Sequence, residues 1–518
     1  MRRGALLPCL TLSACAASLP DAPLLQPLPS PAQFSLQAPR EDAEDEPPEL
    51  SGLEALSVEQ AVVLALTHNR DLEAQTLAPI VAGTFARIER GRYDPELFAE
   101  LTYFNERASQ TARATGEQFD VSGESSNAQV GLRQALPTGT TLEASVGHQL
   151  DVSSRTPAQN EARLDLSVTQ SLLRGLGPSV HLAALRQTDV ETEASVHELR
   201  AYAESFVARV EEAYWALSLA AEEVRIYERS KALAEQEAAD VEARVEVGTL
   251  AQIDLAAARA EVAVREQGRI DAVSLERDAR LRLLQLLGAR PQGLERPVTP
   301  TSPVQTEMRP LEELDARCQL AAENRADLLE AKARQRASRL QVVVTRDGIL
   351  PRLDAFVALG KTGFARDALD AFSSLDGPTY DVQAGLSLGY FLGHRGAEAA
   401  DLAARATSRQ ARLAVENLSA LVQLEVRLAA NELARARAQI DAGRVTRDYR
   451  EAAVQAEEER LSAGSGTVLL VARAQRDLLE SEIALARARV AYRNALTHLY
   501  LAEGTLLARR GMTVATPR

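Results

Sequence analysis

The chain has 518 residues, 46% hydrophobic but only 4% aromatic, and a formal net charge of −15. That charge, with no basic patch to offset it, argues against a nucleic-acid partner, and the scarcity of aromatics argues against a thick globular core. Three scattered cysteines give no disulfide framework, the six histidines show no metal-ligand spacing, and no apolar run approaches the ~18 residues of a membrane helix. Any membrane span must therefore be built from strands.

Residues 1–15 read as an export signal: Arg2 and Arg3, an apolar stretch from Ala5 to Leu12, then Leu12-Ser13-Ala14-Cys15. The last four resemble the lipobox of bacterial lipoproteins, which makes Cys15 the candidate acylated residue. An ordinary signal cut nearby, or a misassigned start, is the alternative. Residues 16–54 carry eight prolines and an acidic run from Glu41 to Glu49, the composition of a disordered tether.

Ser57 and Gln60 fit a capping box for a helix continuing past Leu66 and Leu72. Beyond Asp94-Pro95 the period changes to two. Leu97, Ala99, Leu101 and Tyr103 alternate with more polar neighbours. Val130 and Leu132 follow a polar loop at 105–127; Leu142, Ala144, Val146 and Leu150 follow the tight turn Pro137-Thr138-Gly139. Another loop at 151–161 leads to Leu164, Leu166, Val168 and Leu172. From Val180 to Leu287 there is no proline, and Val210, Tyr214, Leu217, Ala221 and Val224 trace a 4-3-4-3 seam. From Val180 to Val247 this arm spans roughly 100 Å as a helix. Gly248 marks its turn. Trp215 beside Tyr214 reads as packing.

Residues 290–310 are a proline-rich linker, after which the first half, 55–289, is written again over 311–503, with a tail at 504–518. Asn324-Arg325-Ala326-Asp327-Leu328 echoes Asn69-Arg70-Asp71-Leu72, and Leu350-Pro351 stands where Asp94-Pro95 stood. Leu353 to Leu359 and Val382 to Tyr390 supply two strands around a loop at 362–378. Arg244-(x3)-Gly248-Thr249 and Arg460-(x3)-Gly464-Ser465 are the same turn twice. The prolines are 256 residues apart and the turn glycines 216, so half one holds about 40 extra residues, enough for a hairpin.

The fold expected is an α+β membrane protein: a long coiled-coil tunnel, and a transmembrane β-barrel shared between protomers, built on an internal two-fold repeat. Four to six strands cannot close a barrel, whose minimum is about eight, so several copies must contribute. Leu56-Ser57-Val58-Glu59-Gln60-Ala61, His68-Asn69-Arg70-Asp71-Leu72, Gln170-Ser171-Leu172-Leu173 and both Arg-(x3)-Gly turns resemble the TolC-like outer-membrane efflux proteins. The resemblance implies a homotrimer with four strands per chain in a common barrel. It also implies a periplasmic adaptor (membrane fusion) protein and an inner-membrane pump as partners, in drug efflux or type I secretion.

The resemblance makes Arg244, Gly248, Thr249, Arg460, Gly464 and Ser465 the candidate adaptor-docking tip. Either arginine also suits a helix C-terminus, where cations are favoured. Members often carry acidic residues six and nine steps past the second glycine, where this chain has Leu470 and Arg473. Asp254, six steps past Gly248, is the one candidate for the tunnel mouth. No nucleophile–base set, metal cluster or glycine-rich cradle points to an enzyme or a cofactor. The rival is a secreted coiled-coil scaffold without a pore. Loop parity places Pro137-Gly139 on the periplasmic side, giving six strands per chain and a barrel wider than twelve strands; the alternative is that 128–150 is a flap outside the wall.

Overall fold

The computed structural model describes residues 55–111, 115–154, 157–304 and 313–512. The export signal, Cys15 and the tether lie outside the described residues.

A two-residue strand β1 (Ala55–Leu56) leads into α1 (Val58–His68) and α2 (Arg70–Gly91). The capping box forms: the Gln60 N–H donates to Ser57 Oγ at 3.2 Å and the Ser57 N–H to Gln60 Oε1 at 2.9 Å. Asn69 caps α2, accepting from the Leu72 N–H at 3.1 Å.

Four strands follow, β2 (Glu96–Thr111), β3 (Gln118–Ala135), β4 (Thr140–Ser153) and β5 (Gln159–Ser171). The short α3 (Pro178–His181) turns the chain into α4 (Ala183–Glu246), 64 residues or ~96 Å long, and α5 (Gln252–Leu286) returns along it. The linker contributes β6 (Thr299–Pro300), which pairs in parallel with β1.

The second half runs through α6 (Leu314–Asn324), α7 (Ala326–Asp347), β7 (Arg352–Ala365), a small helix α8 (Ala368–Ser373) and β8 (Asp381–Gly389). The 68-residue α9 (Arg395–Ser462), α10 (Val468–Ala502) and α11 (Leu506–Arg509) complete it. Helices α1 and α6 both have 11 residues, α2 and α7 both 22, α5 and α10 both 35.

Six strands form one antiparallel sheet in the order β2-β3-β4-β5-β7-β8. The expected loops at 105–127 and 151–161 are mostly strand. Beyond Phe104 most of the pairs contain polar residues: Arg107 bonds Asp120 at 3.1 Å, and Asn105 reaches Glu124 at 3.5 Å. Cross-strand polar pairs hold the ladder there without hydrophobic alternation to announce it. The loop at 362–378 likewise contains α8, which folds over β5 and β7. Its Phe372 ring stacks on His148 at 5.9 Å, Ala371 is buried, and Asn160 Nδ2 donates to the Arg366 carbonyl at 2.5 Å. Asn160 is therefore a buried strand residue, not a loop residue.

The densest packing lies midway along α4. Val207, Val210, Tyr214, Trp215 and Leu217 are essentially inaccessible, alongside Leu56, Leu499 and Leu506. Tyr214 Oη donates to the Leu56 carbonyl and accepts from the Ser302 N–H, both at 2.9 Å, which pins the linker to the helix. Trp215 lies edge-on to Tyr214 with Arg493 over its face at 4.7 Å. Cys318 is buried against Val422 and Val426. No helix among the described residues is long and apolar enough to cross a membrane.

Candidate functional site: the paired helical tips

Each long arm ends in the same six-residue device. In the first, the Gly248 N–H donates to the Val245 carbonyl at 3.0 Å and the Thr249 N–H to the Arg244 carbonyl at 2.8 Å. In the second, Gly464 donates to Leu461 at 3.2 Å and Ser465 to Arg460 at 2.9 Å. This is the Schellman pattern, which needs a left-handed residue after the helix; φ is +78° at Gly248 and +75° at Gly464. The Thr249 and Ser465 hydroxyls bond the same arginine carbonyls, at 2.8 and 3.3 Å. The arginine main chain, not its side chain, thus closes each helix. Arg460 Nη1 instead bonds Glu457 at 2.6 Å, and among the described residues nothing pairs with the exposed Arg244 guanidinium.

The return helices begin differently. The Thr467 hydroxyl accepts from the Leu470 N–H at 3.4 Å at the start of α10. At the start of α5 no hydroxyl is available, and the half-buried Asp254 accepts from the Ala251 N–H at 3.1 Å. Asp254 and Leu470 occupy equivalent helix positions, and each turn uses one half of the reciprocal capping arrangement. The acidic residue in the first tip therefore has a local structural partner. Leu470 and Arg473 are exposed.

The structure brings the two tips together. Val241, Leu255 and Ala258 of the first hairpin bury against Val468 of the second, with Leu250 and Leu461 beside them. Higher along the arms, sequence reasoning missed a polar layer that crosses the hairpins. Gln475 Nε2 donates to Glu237, Arg476 pairs with Glu261, and the nearly inaccessible Arg265 lies 3.4 Å from Glu261. Burial pushes the Glu237 carboxyl up and Arg265 down. Its signal was faint: Arg265 is one arginine among many on a charged helix.

The other end of the arms is knitted to the sheet. Tyr93 Oη donates to the His181 carbonyl at 2.7 Å, the Gly175 N–H to Asp347 Oδ2 at 2.8 Å, and the Leu172 N–H to the Leu353 carbonyl at 2.7 Å. A strand-to-helix junction at one end, two adjoining turns at the other and ~100 Å of paired helix between make a rod with an apolar-faced sheet at its head.

Residues 318–505 match the family model described as Outer membrane efflux protein. No curated protein matches the chain in sequence. Among solved structures, the outer-membrane channel OprN aligns at 20% identity with a TM-score of 0.65, over 86% of this chain and 89% of that one. The CmeC outer membrane channel of Campylobacter jejuni aligns at 16% and 0.61, over 87% and 86%. The MtrE channel of Neisseria gonorrhoeae, in its open state, aligns at 18% and 0.62, over 86% and 88%. The family match covers residues in the second half of the chain, and the likeness to these solved channels shows a shared fold.

Proposed function

We propose that three copies of this chain form one passive duct from the periplasm to the exterior, the outer-membrane component of a tripartite efflux or type I secretion system. Each protomer contributes its sheet to a common barrel and its four long helices to a periplasmic tunnel. The observation that carries this is the sheet: six strands with an apolar face and two open edges, too few to close alone and too costly to leave unpaired in lipid. A scaffold without a pore has no use for such a face.

The matched helix lengths of the two halves support an internal two-fold repeat. The tips at Arg244, Gly248, Thr249 and Arg460, Gly464, Ser465 lie farthest from the sheet, and they are exposed where a periplasmic adaptor would dock. Through that adaptor the duct meets an inner-membrane pump; acylation at Cys15 adds a lipid anchor in the outer membrane. Asp254 serves the tunnel mouth only in addition to its capping role. The duct needs no catalysis and no cofactor.

The test is fractionation and a gel. The protein should sediment with the outer membrane and run as a trimer that heating dissociates. A water-soluble monomer without detergent overturns the reading. Deleting the gene and screening toxic compounds then identifies the cargo.

A further inference from the structure

The sheet carries more wall than the shared barrel has been assumed to need. Its backbone register aligns one apolar row across every strand: Leu97 opposite Leu132, then Ala144, Leu166, Leu359 and Val382. The neighbouring row reads Leu142, Val168, Val357 and Ala384 from β4 to β8. The opposite face is mostly polar: Glu96, Arg133, Glu143, Ser167 and Gln383 share one row, interrupted by Ala358, with Phe98 and Phe356 elsewhere on that face. A one-residue slip anywhere would reverse the faces. The extra hairpin of half one therefore keeps the same inside and outside as the other strands, which a flap lying outside the wall has no reason to do.

The hairpin is also fixed at the correct height. Its tight turn at Pro137-Thr138-Gly139 sits at the strand-to-helix junction: the Ser171 N–H donates to the Gly139 carbonyl at 3.0 Å and the Gly177 N–H to the Thr138 carbonyl at 3.2 Å. The approach is so close that a Cβ on Gly139 would lie 2.2 Å from the Gly175 carbonyl oxygen. All lower ends of the strands thus share one rim, from which α4 and α9 depart.

Two edges remain, β2 and β8. The apolar face reaches both undiminished: Leu97 and Leu101 are 72% and 80% exposed, Leu386 and Leu388 70% and 69%. Strand β2 leaves the rim after α2, and β8 returns to it before α9. The two edges are therefore antiparallel to each other when copies stand side by side. In lipid each row of unpaired N–H and carbonyl groups needs a partner. The only closed arrangement that serves every copy alike is edge to edge around a symmetry axis.

We infer that all six strands form the barrel wall, and that β8 of each protomer pairs antiparallel with β2 of the next copy. This rests on the trimeric reading above and yields an eighteen-stranded barrel. Diameter grows about linearly with strand number, so the passage through the membrane is roughly half again as wide as that of a twelve-stranded barrel. The helical tunnel keeps its four long helices per chain, so the duct widens at the membrane.

Disulfide trapping tests the seam on the full-length trimer in detergent. Ala384→Cys on β8 is combined in turn with Leu97→Cys, Ala99→Cys and Leu101→Cys on β2, with each single variant as control. One or more of these pairs should give covalent dimers and trimers on a denaturing gel, whereas Val146→Cys on β4 with Ala384→Cys should not. A trimer in which Val146 crosslinks to Ala384, or in which no β2 pair does, overturns the seam while leaving the trimeric duct intact. A protein that is not trimeric before oxidation overturns both. Should the variants assemble poorly, end-on images of the wild-type trimer decide: a diameter matching twelve strands sinks the inference.

Discussion

Arg510 Nε lies 2.6 Å from Oε1 of Glu211, a carboxylate with no solvent-accessible surface in the middle of α4. The other carboxylate oxygen accepts from Thr497 Oγ1 at 2.6 Å. Beside it, Glu503 is equally inaccessible and is held by Arg317 and by Arg509 at 3.2 Å. The end of the described chain is thus bolted to the midpoint of the first long arm. Removing one partner of such a pair leaves a charge buried and uncompensated, at a cost of about 3–5 kcal/mol. We predict that Arg510→Ala lowers the temperature at which the trimer dissociates, and that adding Glu211→Gln restores part of the loss. Melting unchanged by Arg510→Ala would show that the bolt contributes nothing.

A pH dependence arises at Glu204, seven residues earlier on the same helix. Burial pushes its carboxyl up to about 7, opposed by Arg200 at 3.5 Å and by Arg325, and reinforced by Asp327. Glu425 and His498 face the same cleft from α9 and α10. With the folded pKa above the unfolded one, the native state holds the extra proton between the two. This contribution is full below about pH 4.5 and fades as pH rises through 7. Glu204→Gln should flatten the thermal stability of the trimer across that window. An unaltered pH profile in the variant would remove Glu204 as its source.

The tip glycines separate assembly from export. Nothing lies within 4 Å of a Cβ added at Gly248 or Gly464, so valine there meets no clash, only the left-handed backbone, at about 1–3 kcal/mol per turn. We expect Gly248→Val with Gly464→Val to give normal amounts of trimer and little export, while asparagine at both positions, tolerant of that backbone, retains export. Full export with both valines would count against the tips as the docking site.

Labelling of intact cells reads the orientation of the sheet. Thr138→Cys should resist a membrane-impermeant maleimide and Ser109→Cys should react, because barrels keep short turns on the periplasmic side. Asn160 is unsuitable as an exterior marker, being buried under α8. Surface labelling at position 138 would invert the sheet.

What the sequence made legible was whatever has a period or a fixed conformation. The seam through Val210, Tyr214 and Leu217 is buried throughout, and the apolar alternation at Leu164, Leu166 and Val168 lies on a single face. Asn105–Thr111 and Gln118–Asn127, strand in the structure, read as loop because their largely polar cross-strand pairs leave no hydrophobic period. Glu211 and Glu503 could not be singled out among 73 acidic residues, since their burial depends on partners 299 and 186 positions away. Arg244 and Arg460 were legible as a repeated pair, and their carbonyl oxygens close the two helices.

The equal length of α5 and α10, 35 residues each, makes the arms a ruler. One residue added to a single helix would move everything beyond it by 1.5 Å and swing it through about 100°. It would part the two tips and turn the buried stripe outward. Seven residues added to all four arms together, about 10 Å, would preserve every facing. A longer rod can therefore be built only by lengthening the four arms in concert and in near-whole turns.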